Sequence, residues 1–164
     1  MIPDRIEKTA LLHAPLERVW RAVSDAREFG SWFGVAFDGP FVAGRAIAGR
    51  IVPTTADADV AKLQEPHTGK RFEFHVEAME PPRLIAFRWH PYAMDPSVDY
   101  TREPTTLIVF ELTPVGNDTR LSIVESGFDD IPLSRRSAAF TANDGGWTHQ
   151  LRLVANYLAT STTG

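Results

Sequence analysis

The chain has 164 residues, 43% hydrophobic and 23% charged, with a formal net charge of −4. That balance predicts one globular domain over residues 1–164 and excludes a disordered chain, while the missing basic excess argues against nucleic acid as a partner. There is no cysteine, so disulfides, thiol nucleophiles, thiolate metal sites and cysteine-held iron–sulfur clusters are ruled out.

The opening residues alternate charge without an apolar core, unlike a secretory signal. No apolar run approaches the roughly 18 residues of a membrane span, so a cytoplasmic address is expected. Arg5–Leu12 reads as a first strand. Pro15 suits the first position of a helix whose stripe is Leu16, Val19, Trp20 and Val23. Asp25 followed by Glu28 resembles a capping box that opens a second short helix through Phe29 and Trp32.

From Gly34 to Val52, glycines separate short β-like pieces: Val35–Phe37, Phe41–Val42, Ala46–Ile47 and Arg50–Val52. Residues 53–70 are polar and acidic and predict a long mobile loop. Period two then marks four strands, through Phe72, Phe74 and Val76; Ile85, Phe87 and Trp89; Ile108, Phe110 and Leu112; and Leu121 and Ile123. Pro81-Pro82 and residues 115–118 are turns, and Pro91–Pro104 is a longer crossing that contains Tyr92, Asp99 and Tyr100. Trp147, Leu151, Val154 and Leu158 fall on one helix face, approached by a helical stretch over residues 135–143. Residues 160–164 read as a frayed tail.

A sheet with one apolar face needs a cover, and the C-terminal helix is the element long enough to supply it. The fold class is therefore α+β: a curved antiparallel sheet of about six or seven strands, in the usual size range, around a long C-terminal helix. Twist prevents sheet and helix from touching everywhere. Space is expected near the second short helix, beside Gly145-Gly146, which lack side chains. The alternative is that these glycines break the helix before Trp147.

Ala14-Pro15-Leu16-Glu17-Arg18-Val19-Trp20 and Trp32-Phe33-Gly34 resemble the opening of the Hsp90-ATPase-activator-like branch of the START/Bet v 1 superfamily. Residues 83–89, Thr119-Arg120-Leu121, Glu125-Ser126-Gly127-Phe128 and Gly146-Trp147 are similar to its later motifs, in order. The resemblance implies a bacterial helix-grip domain with a hydrophobic ligand cavity, usually without a cofactor. It implies no single activity. The separate N-terminal domain of eukaryotic Hsp90 activators has no counterpart here, so a chaperone partner is not supported. The vanillate-demethylase reductase name carried by some similar chains is rejected, because that reductase needs cluster cysteines.

Glu125 continues the parity of Leu121 and Ile123, which points it at the buried face. There it would anchor a ligand or move protons; the alternative is a wet rim or an ion pair. His75, Arg88 and His90 have the outer parity. The five histidines show no metal-site spacing, and no nucleophile elbow or phosphate-binding loop is present. Trp32, Phe37, Phe74, Trp89, Phe110 and Trp147 are core residues that, with Glu125, are expected to line a cavity of a few hundred Å³.

Three functions follow. The leading one is a binder of a small apolar or aromatic molecule, without cofactor or metal. The second is a cofactor-independent enzyme of the polyketide-cyclase kind, using Glu125 or a histidine. The third is a protein-interaction module, which a collapsed core would favour. A homodimer is compatible with all three.

Overall fold

The computed structural model describes residues 4–91, 99–100 and 102–160. The side chain of Phe72, together with Tyr92 and residues 161–164, lies outside that description. Seven antiparallel strands form one sheet in the order β1-β7-β6-β5-β4-β3-β2. They are β1 (Arg5–Leu12), β2 (Val35–Phe37), β3 (Ala46–Ile51), β4 (Arg71–Glu80), β5 (Leu84–Trp89), β6 (Thr106–Val115) and β7 (Asp118–Ser126). Helices α1 (Leu16–Ser24) and α2 (Ala26–Phe33) follow β1, α3 (Ala58–Gln64) follows β3, and α4 (Leu133–Thr160) ends the described chain.

The alternation read from the sequence is the alternation of the sheet. Phe74, Val76, Ile85, Phe87, Ile108, Phe110, Leu112, Leu121 and Ile123 are all buried. Register makes this cooperative: Glu125 stands between Ile6 of β1 and Ile108 of β6, and Ile108 stands opposite Phe87. A slip of one residue would turn the whole row to solvent. On the outer face His75 pairs with Arg88, and both reach Glu77, at 3.4 and 3.3 Å.

The two short helices form for local reasons. Asp25 ends α1 and caps α2, its carboxylate accepting from the N–H groups of Arg27 and Glu28. Gly34 closes α2 in the left-handed region, at φ 97°, where a side chain would be strained. Arg18, Glu28 and Tyr157 then tie α1, α2 and α4 together. Arg18 meets Glu28 at 2.7 Å and the Tyr157 hydroxyl donates to the same carboxylate at 2.8 Å. Burial and the neighbouring Glu28 carboxylate push the Tyr157 hydroxyl above its ordinary pKa.

Two expectations need correction, the loop over residues 53–70 and the Phe41–Val42 strand, and one open alternative, a helix break at Gly145-Gly146, is removed. Residues 53–70 contain α3 and a 3-10 turn over Glu65–His67, where a loop was expected. Asp57 caps α3 by accepting from the N–H groups of Asp59 and Val60, Val60 is buried, and the Gln64 amide bridges Thr54 N and Phe33 O. Helix α4 runs unbroken through Gly145-Gly146, because packing of its apolar face outweighs the poor helix propensity of two glycines. On that face Leu153 is fully buried and Leu151 only partly. The Phe41–Val42 piece is not a strand, and β3 absorbs the next two pieces as one.

Aromatic side chains fill most of the space between sheet and helix. Phe29 of α2 is the hub, with the rings of Trp32, Phe33, Phe37, Phe41, Phe74, Phe87 and Phe110 centred 4.7 to 6.2 Å away. Edge and tilted contacts of this kind add to area burial.

Candidate functional site

The site lies where β5 ends, β6 begins and β7 ends, against the first half of α4. Glu125 projects there from β7 and is 0% exposed. Its strand neighbours supply two donors to Oε2: the Trp89 indole N–H at 2.7 Å and the Thr106 hydroxyl. Helix α4 supplies the rest. The Trp147 indole N–H donates to Oε1 at 2.8 Å, and the Asn143 amide reaches Oε1 and Oε2 at 3.0 and 3.1 Å. Indole and amide N–H groups can only donate, so both oxygens accept from them.

Among the described residues, Glu125 has no ion-pair partner. Two basic groups on the nearby elements are engaged elsewhere. Lys8 of β1 pairs with Asp144 at 3.1 Å, and Arg135 of α4 pairs with Glu103 at 2.8 Å. Glu125 thus lies neither at a wet rim nor, among the described residues, in an ion pair. Strand parity carries Glu125 inward, and neutral donors from three elements replace a cation.

Beside this carboxylate a void of about 60 Å³ opens, lined by Phe33, Trp89, Asn143, Gly146, Trp147 and Gln150. It occurs where space was expected, and for the expected reason: a Cβ placed on Gly146 would meet nothing within 4 Å. It is far smaller than the few hundred Å³ anticipated, since the aromatic cluster around Phe29 occupies the remainder. Trp89, Asn143, Gly146 and Gln150 are each part-exposed, so the void reaches the surface. The Gln150 amide N–H points to Phe33 O at 3.4 Å, while its Oε1 is buried with no hydrogen-bond partner.

The expected lining residues divide between places. Trp89, Glu125 and Trp147 come together here. Trp32 is fully buried and its indole N–H donates to Ala22 O at 2.9 Å. Phe74 and Phe110 are packed in the aromatic cluster. Phe37 lines a different and larger cleft of about 690 Å³, between α2, β2 and residues 38–41 and 52–55. Much of the polar lining of that cleft is engaged within the chain. Asp25 caps α2, Ser31 meets Thr55 at 3.0 Å, and Asp38 meets Arg71 at 3.2 Å.

His90, expected on the outer face in water, is part-buried, with an unpartnered Nδ1. In the long crossing, Tyr100 lies 4.7 Å beneath the Arg135 guanidinium, which also donates to Pro91 O at 3.0 Å. These contacts pin the described part of the crossing to α4. Thr106, Asn143 and Gln150 escaped the sequence reading.

A model of the family described as "Activator of Hsp90 ATPase homolog 1-like protein" matches residues 13–159. Comparison with curated proteins finds no match. Among solved structures, the chain is similar to DynU16, a protein of the dynemicin biosynthetic locus, at 23% identity and TM-score 0.68. That match covers 97% of this chain and 48% of DynU16, so the chain spans about half of that protein. A protein from Mesorhizobium loti matches at 21% identity and TM-score 0.68, covering 96% of this chain and 98% of its own. One from Arthrobacter aurescens matches at 17% and TM-score 0.73, covering 96% and 87%. At these identities the structural matches speak for the fold. The family model spans nearly the whole chain, and with the helix-grip architecture it places the protein in the Activator of Hsp90 ATPase homolog 1-like family of the START/Bet v 1 superfamily, whose fold is a ligand-binding architecture.

Proposed function

We propose that the domain binds a small molecule at the junction of β5, β7 and α4. Trp89 and Trp147 would serve as walls and Glu125 as the buried anchor behind them. One observation carries this reading: a fully buried carboxylate without a cation partner lies beside a void whose wall includes Gln150, and the buried Oε1 of Gln150 has no hydrogen-bond partner. Buried polar groups in native proteins are nearly always satisfied, so such a group calls for a donor from outside the chain. Flat aromatic walls with a few convergent polar groups are the usual make-up of a ligand site. Glu125 is engaged by donors on both oxygens, which suits fixing a site better than abstracting a proton.

The test is native mass spectrometry of protein purified from its own host. A co-purifying small molecule is expected in wild type and absent from Gly146→Leu, whose side chain would fill the void while favouring the helix. The filled interior supports a second reading, an interaction module without ligand. Wild type with no mass excess, pulling down a partner protein equally well with Gly146→Leu, would favour that reading.

A further inference from the structure

We infer that the ligand taken beside Trp147 carries a small ammonium group, an inference that rests on the binding site proposed above. The void is bordered by three aromatic side chains. Phe33, Trp89 and Trp147 all line it, with ring centroids 6.4, 6.1 and 5.7 Å apart in pairs and interplanar angles of 61°, 58° and 30°. The negative faces of aromatic rings attract a cation, most strongly when water is excluded. Both indole N–H groups, the positive edges of the rings, are turned to Glu125, and both rings border the void.

Three further observations agree. Glu125, just behind the two indoles, is a buried carboxylate for which the described residues offer no ion-pair partner. Neutral donors satisfy its hydrogen bonds but bring no positive charge, so a cationic ligand would gain from this carboxylate an attraction that a neutral one would not. Gln150 Oε1 is an unused acceptor on the wall, matched by an ammonium N–H. The void, about 60 Å³, accommodates a compact head group, and the part-exposed rim leaves the rest of the ligand outside. The larger cleft near Phe37 shares none of these features, since its carboxylates already serve the chain.

An isosteric pair separates charge from shape: benzylammonium and benzyl alcohol, each titrated calorimetrically into wild type, Glu125→Gln and Gly146→Leu. Both probes can donate to Gln150, so only charge distinguishes them. Benzylammonium is expected to bind wild type at least about tenfold more tightly than the alcohol, the order of a desolvated cation–π contact aided by a buried charge. That preference should shrink in Glu125→Gln, which keeps the rings and removes the charge, and both probes should fail with Gly146→Leu. Equal or tighter binding of the alcohol, lost in Gly146→Leu, would overturn the ammonium inference and leave the pocket standing. A preference as large in Glu125→Gln as in wild type would also overturn it, by showing that the buried carboxylate plays no part in the attraction. No binding of either probe, or binding indifferent to Gly146→Leu, would overturn both. Near-UV circular dichroism establishes that each variant is folded; should Glu125→Gln not fold, Gln150→Ala replaces it, with the preference expected to shrink and the inference lost if it does not.

Discussion

Glu125 shows what a single residue's strand parity can reveal. Its place two residues beyond Ile123 turned it inward, and the structure puts it at 0% exposure. Its partners were equally available to the same rule. Thr106 lies two residues before Ile108 on the inward parity of β6, and Asn143 lies four before Trp147 on the buried stripe of α4. Each was passed over because a polar residue on an apolar face does not announce its partner. The network yields a prediction. Glu125→Gln places an amide N–H₂ among groups that, apart from the Thr106 hydroxyl, can only donate, so it should cost about 1–3 kcal/mol in urea denaturation, the range for a buried unsatisfied group. Unchanged stability would show that the five contacts contribute nothing to the fold.

At the scale of elements, the long periodic ones were legible and the short one was not. Helix α3 has seven residues, too few for periodicity to show and too few to be stable alone. It is held by its cap and by tertiary contacts: Gln64 on Phe33 O, Arg152 on Asp57 at 3.3 Å, and Asn156 on Ala56 O at 3.2 Å. The Val60 N–H above all, with the Asp59 N–H and the charges of Arg152 and His149, holds the Asp57 carboxyl below its ordinary value of 3.8. A depressed folded-state value means the cap's contribution is complete above 3.8 and is lost as pH falls through the lower folded-state value. The Cα chemical shifts of residues 58–64 should therefore lose helical character in acid before those of α4, and Asp57→Asn, which caps without titrating, should remove that step. On α4 itself, Leu153→Ala should cost about 2–5 kcal/mol, as for a fully buried leucine, and Leu151→Ala clearly less. The sequence stripe chose Leu151 because it lies four residues from Trp147; the packed face is wider and takes in Leu153.

For the whole molecule, order and parity of the strands were enough to read a curved sheet gripping one helix, and the position of the void followed from two glycines. Its size did not follow. How much of an interior is filled depends on which way large side chains lean, and Phe29, on a helix of only eight residues, gathers rings from α2 and the sheet into the space. Phe74, expected to line a cavity, is 1% exposed and packs against Phe29, Phe33, Phe87 and Trp89. Phe74→Ala should then cost the full amount for a packed phenylalanine, about 3–5 kcal/mol, and a loss well below that would reveal a void beside it. The central claim, a ligand site between Trp89 and Trp147, is tested most directly by the indole N–H signals in a ¹H–¹⁵N spectrum, because the chain has four tryptophans and only these two border the void. On titration with benzylammonium or benzyl alcohol, the signals of Trp89 and Trp147 should shift and saturate together while those of Trp20 and Trp32 stay in place. Signals that remain still with both compounds, or that move at Trp20 and Trp32 instead, would contradict the site.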